Sequence, residues 1–250
     1  MKKIFLMTLV LSCAIMFMAC GDKGSKQDVE TTAKNAETKD IETKVDNKEE
    51  SSMEAPTVGG WDNNNDSSPS ENKEAMEAFD NATKDLDGYT YEVIAVLGSQ
   101  PVAGTNYSYL CKGQVVAADV KPEYLIVNVY EDLEKNAEIT AMVPPMENMD
   151  GWSYNEGSTA LSDNKDVETA FNKAIEKLTG VSYEPIAYIA KSDSQYAVFT
   201  KATTAAQNAK KSFVVMYINS DGTLASGDGN DIEDVDIGID IGAETVPAKE

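Results

Sequence analysis

Histidine and arginine are both missing from the 250-residue sequence, and cysteine occurs only three times. Without histidine there is no Ser-His-Asp or Cys-His catalysis, no histidine metal ligand and no histidine general base. Without arginine, and with 43 acidic residues against 21 lysines, the chain lacks the basic footprint that phosphate binding needs, so nucleic acid is not expected as a partner. The net charge of −22 favours solubility and mutual repulsion. Carboxylates are abundant, but no pair of them carries a signature for acid–base chemistry. The chain is therefore expected not to be an enzyme and to need no cofactor or metal.

Long apolar runs are also scarce, with one exception at the start. Lys2 and Lys3 form a short basic region, and Ile4 to Met18 is almost wholly apolar. Roughly 20 apolar residues are needed to span a bilayer, so this run fits the core of a secretory signal peptide better than a transmembrane helix. It ends at Phe17-Met18-Ala19-Cys20-Gly21, which resembles the lipobox of bacterial lipoproteins. That resemblance implies cleavage after residue 19 and lipidation of Cys20, with anchoring at the extracytoplasmic face of the cell membrane by two or more acyl chains. Cys13 is a second candidate, but its use would leave the apolar stub Ala14 to Ala19 on the mature chain. An uncleaved anchor helix is the third reading. With Cys20 acylated, Cys111 has no partner, so no disulfide framework is expected.

Residues 20–69 are rich in Lys, Glu, Asp, Thr, Ser and Asn and show no apolar period. They read as a disordered, lipid-anchored tether. About 50 such residues reach roughly 40 Å root-mean-square, enough to lift a folded head off the surface.

The head repeats itself with a period near 90 residues. Gly88-Tyr89-Thr90-Tyr91-Glu92-Val93-Ile94-Ala95 aligns with Gly180-Val181-Ser182-Tyr183-Glu184-Pro185-Ile186-Ala187. Before each lies a helical stripe, Ala75, Phe79, Ala82 and Leu86 in the first copy and Val167, Phe171, Ala174 and Leu178 in the second. Ser68-Pro69-Ser70-Glu71 predicts a capping box for the first helix, and Ser162 or Asp163 a cap for the second. Gly88 and Gly180 stand where glycine ends helices. Strand-like segments follow, and Ile139, Ala141 and Val143 alternate with polar positions, as do Val235, Ile237, Ile239 and Ile241. The fold class expected is α+β, with two tandem domains, each one helix packed on a four-stranded antiparallel sheet. Domain 1 spans 70–143, with an N-terminal segment from 59; domain 2 spans 151–242; 243–250 is a tail.

Gln100-Pro101-Val102-Ala103-Gly104-Thr105-Asn106-Tyr107 lies between the first two strands of the first copy. With the Gly59-Gly60 pair upstream of the helix, it resembles the Gln-x-Val-x-Gly hairpin of the cystatin and stefin family over about residues 59 to 143, and more faintly over 151 to 242. The resemblance implies cystatin-like domains and inhibition of papain-like cysteine proteases by a wedge that plugs the active-site cleft. Gly59 and Gly60 would be its flexible segment, Gln100, Pro101, Val102, Ala103 and Gly104 its central hairpin, and Glu131 to Asn136, with Leu133, its second hairpin. The sequence departs from the family at Pro101, at the acidic second hairpin, and in the second copy, where Lys191-Ser192-Asp193-Ser194-Gln195 replaces the motif. The alternative is a non-inhibitory envelope module that binds a ligand or assembles with another extracellular protein.

Three further signals carry less. Ser226 to Ile232 is similar to one calcium-binding nonapeptide repeat, but such sites need stacked copies, so it reads as a turn. Cys111 reads as a small buried apolar residue. Trp61 and Trp152 read as pins for the start of each copy rather than as sugar-stacking platforms.

Overall fold

A computed structural model describes residues 59–225 and 232–238. Cys20, the leader and most of the tether lie outside the described residues, as do most of the Ser226–Ile232 turn, Ile239, Ile241 and the tail.

The first copy runs β1 (Asp62–Asn63), α1 (Lys73–Thr83), β2 (Tyr89–Val102), β3 (Gly104–Val115), β4 (Glu123–Glu131) and β5 (Ala137–Val143). The second runs β6 (Ser153–Tyr154), a 3-10 turn at Leu161–Asp163, α2 (Lys165–Ile175), β7 (Val181–Lys191), β8 (Gln195–Thr204), β9 (Lys211–Asn219) and β10 (Ile232–Val235). Each forms a fully antiparallel sheet of five strands, ordered β1-β2-β3-β4-β5 and β10-β9-β8-β7-β6.

The expected architecture, two tandem domains each with one helix on four strands, is therefore overturned in two respects. Each sheet has a fifth strand, a two-residue piece at its edge that precedes the helix. More importantly, the sheets do not belong to separate domains. A single central core takes Ala95, Leu97, Leu110, Tyr124 and Ile126 from sheet 1 and Ile189, Phe199, Phe213 and Val215 from sheet 2. Met146, from the connection between the copies, is buried in it as well. The reason is geometric. An eleven-residue helix covers one face of a sheet, and the other face also carries apolar side chains that must leave water. Each sheet supplies the cover for the other. The layers are α1, sheet 1, sheet 2 and α2.

The outer cores are small and local. Ala75, Ala78 and Phe79 of α1 pack on Val96, Tyr109, Cys111, Leu125 and Val127. Val167, Ala170, Phe171 and Ala174 of α2 pack on Tyr188, Val198, Val214 and Met216. Neither helix starts at the expected capping motif. Asn72 and Asn164 precede the helices, and neither side chain caps the first turn. Asn72 instead donates to Asp66 O and Ser68 O at 2.9 and 2.8 Å. Asn164 does the same to Ser158 O and Ala160 O at 2.9 and 2.8 Å. Each asparagine thus ties the strand-to-helix connection together. Leu86, placed on the first stripe by its spacing, lies beyond the end of α1 and is 46% exposed. No helix among the described residues is long and apolar enough to cross a membrane.

Candidate functional site

The long β2–β3 hairpin turns at Ala103, with Val102 opposite Gly104. Its tip is the centre of a ridge at one end of sheet 1. On one side, Gly59 joins it: Gly59 N–H donates to Pro101 O at 3.3 Å, and Gln100 Nε2 donates to Gly59 O at 2.9 Å. Asn106 Nδ2 donates to Gln100 Oε1 at 2.7 Å, which holds the Gln100 amide in place. On the other side, Thr105 pairs with Glu131, and the Tyr130 hydroxyl donates to Ala103 O at 2.5 Å. Gly59, the Gln100–Gly104 hairpin and the Glu131–Asn136 turn therefore stand side by side.

The side chains divide the labour. Gln100 clamps the N-terminal segment and is not free for a partner. Gly104 is required by close approach: its φ is +120°, and a Cβ there would lie 2.3 Å from Glu131 O. Pro101 lacks an N–H, yet its carbonyl serves Gly59. Val102 and Leu133 are the apolar groups left in water, 44% and 76% exposed. The second turn is rigid. Asp132 accepts the N–H groups of Glu134 and Asn136 at 2.9 and 2.8 Å. The bond from the Asn136 side chain, together with those two, holds the Asp132 carboxyl below its usual range. Lys135 takes a positive φ of 68° and pairs with the buried Glu131 at 2.8 Å, and this bond raises the lysine pKa.

An open groove of about 720 Å³ runs beside the ridge, between the first turn of α1 and Pro101, Thr105 and Tyr107. Burial raises the Tyr107 phenol. No cluster of three or more metal-ligating side chains occurs among the described residues.

Sheet 2 has a counterpart end. There Gln195 bonds Asn219 at 3.0 Å, and Ser220 N–H donates to Ser194 O at 2.8 Å, which joins the 192–195 and 219–224 turns. That end is polar, with no large exposed apolar side chain among the described residues. It also points the opposite way. Asn63, opposite Gly98 near the ridge, donates to Lys211 O, at the end of β9 remote from these turns.

Cys111 is buried in the outer core of sheet 1, and burial pushes its thiol pKa up, which makes it unreactive. Trp61 packs on the central core, where Gly238 approaches its indole so closely that no Cβ would fit. The Trp152 ring lies 5.3 Å from Tyr217, whose hydroxyl donates to Glu233.

No protein-family model matches the chain, and no curated protein matches it in sequence.

Proposed function

We propose that the protein is a surface lipoprotein whose ridge binds another protein by entering a narrow cleft, and that the cleft is that of a papain-like cysteine protease. The observation that carries this reading is the alignment of Gly59, the Gln100–Gly104 hairpin and the Glu131–Asn136 turn on one end of sheet 1. Three backbone loops in a row make a narrow edge with two apolar side chains, Val102 and Leu133, on its crest. Blocking by occupancy requires no chemistry of the blocker, which suits a chain without histidine. The resemblance of Gln100 to Tyr107 to the cystatin hairpin supports the choice of partner, and the lipobox supports a lipid on Cys20 with the head held at the extracytoplasmic face.

The test uses the purified mature chain against papain. Inhibition at micromolar concentration or below is expected. Val102→Asp and Leu133→Asp place charges where apolar contact is proposed, and each should weaken inhibition at least tenfold, about 1.4 kcal/mol, with unchanged melting curves. A wild-type chain that inhibits no protease of this class, or variants that inhibit as well as wild type, would overturn the reading.

A further inference from the structure

The end of sheet 1 opposite the ridge can be compared directly with the same place in the other copy. Val116 N–H donates to Gly88 O at 2.9 Å, and Ala205 N–H donates to Gly180 O at 2.8 Å. Val115 stands opposite Tyr89, and Thr204 opposite Val181. The pairs Gly113–Glu123 and Ala202–Ser212 close loops of equal length. Val115, Val116 and Val120 therefore correspond to Thr204, Ala205 and Ala209.

The second copy closes this loop without a large apolar side chain, so the fold does not call for one. The first copy nevertheless holds Val115, Val116 and Val120 in water at 42%, 66% and 36% exposure, and Leu86, two residues before Gly88, is 46% exposed. Two bonds gather them. Gly88 O takes Val116 N–H, and Gln114 Nε2 donates to Val120 O at 2.6 Å. The loop borders a shallow open depression of about 470 Å³ floored by Thr90 and Gln114. Leu178, the counterpart of Leu86, is instead half-buried against the α2 core.

Charge differs between the copies as well. Exposed Asp87 adjoins Gly88, which holds Val116, and exposed Asp119 adjoins Val120, with exposed Asp85 two residues before Asp87; the second copy has Thr179, Asn208 and Lys177 at these positions. Lys84 against Glu176 runs the other way, and Lys121 is matched by Lys210 but already paired with Glu156 at 2.9 Å. An apolar centre with a charged rim is the anatomy of a protein-docking patch.

We infer that this end of sheet 1 is a second docking surface, separate from the ridge, for a protein segment that presents a row of apolar side chains framed by lysine or arginine. The acidic rim selects the frame. It repels an anionic lipid surface, and a net charge of −22 opposes a second copy of the chain.

The probe is a short fluorescent amphipathic peptide of leucine and lysine, with a leucine and glutamate peptide as its control. The variant takes the residues of the second copy, Val115→Thr, Val116→Ala and Val120→Ala, which the fold already tolerates there. At physiological ionic strength the wild-type mature chain should bind the leucine–lysine peptide, and the triple variant at least tenfold more weakly with an unchanged melting curve. Ala205→Ser with Ala209→Ser should leave binding as it is. Four results would overturn the inference: no binding, equal binding by the triple variant, equal binding of the leucine–glutamate peptide, or a concentration-dependent dimer in sedimentation that the triple variant abolishes.

Discussion

Lys112 and Lys201 occupy the same place in the two copies, and each crosses to the other one. Lys112 stands opposite Glu92 in its hairpin, and Lys201 opposite Glu184. Lys112 Nζ donates to Glu156 O and Gly157 O at 3.0 and 2.7 Å, just after β6. Lys201 Nζ donates to Asn65 O at 2.7 Å, just after β1. Asn65 and Glu156 are themselves matching positions, so the contact is reciprocal, as across a two-fold axis. These bonds help set the register in which the sheets face one another.

Lys201→Met keeps the length of the side chain and removes its charge. The lysine side chain is 9% exposed, so its loss leaves Asn65 O without its donor in a part-buried place. A loss of about 1–3 kcal/mol is expected in urea denaturation, the usual cost of orphaning such a group. Lys112→Met should cost less, about 0.5–1.5 kcal/mol, because water can replace it at the more exposed Glu156 and Gly157 carbonyls. Equal, negligible effects would show that the apolar core alone sets the packing.

Gly59 and Gly104 both take a positive φ, of 88° and 120°, but differ in their surroundings. A Cβ at Gly59 meets nothing within 4 Å, whereas one at Gly104 meets Glu131 O and the Tyr130 ring. Gly59→Ala should therefore show backbone strain alone, about 1 kcal/mol. Gly104→Ala should cost more, roughly 2–4 kcal/mol, since β4 must also move. Chemical denaturation of the two variants compares them, and a milder effect at Gly104 would contradict the close approach.

Stability should be flat near neutral pH and fall at both extremes. Burial raises the pKa values of Cys111, Tyr109, Tyr124 and Tyr217. Above about pH 8.5, where a free thiol ionises, and further above about pH 10 for phenols, the unfolded chain loses protons that the folded chain keeps. Stability therefore falls as pH rises. Hydrogen bonds from Ser68, Asn136 and Thr223 lower Asp66, Asp132 and Asp221. Their contribution is present above about pH 4, the range of free carboxylates, and is lost as pH falls through the lowered values. Urea midpoints from pH 3 to 11 check this. An inflection between pH 6 and 7.5 would be unexpected in a chain with no histidine. Peptide mapping should find Cys111 alkylated only in denaturant.

The ridge is partly legible in the sequence. Gln100, Val102, Ala103 and Gly104 stand out through their resemblance to the cystatin hairpin, and the turn with Leu133 is what that resemblance implies as a second hairpin. The roles within the ridge do not. Gln100 is a clamp and Gly104 a contact point with β4, and both follow from where Gly59 and Glu131 come to lie. The opposite end of the sheet carries no motif. Val115, Val116 and Val120 stand out only when the strand register aligns them with Thr204, Ala205 and Ala209.

The sequence by itself determined the repeat, the two helices and the order of the long strands, because these rest on local periods of apolar residues and on glycine at the turns. Tertiary structure decided how the copies combine. A signal was present: Ala95-Val96-Leu97, Tyr109 to Cys111 and Phe213 to Val215 are continuous apolar runs, as in strands buried on both faces. Such runs show that a second face is covered but not by what. The cover comes from residues about 90 positions away, and hydrophobic burial is non-directional. Only packing side chains such as Leu97, Phe199 and Phe213 into one volume, with Lys112 and Lys201 finding carbonyls across it, selects sheet against sheet over two separate heads.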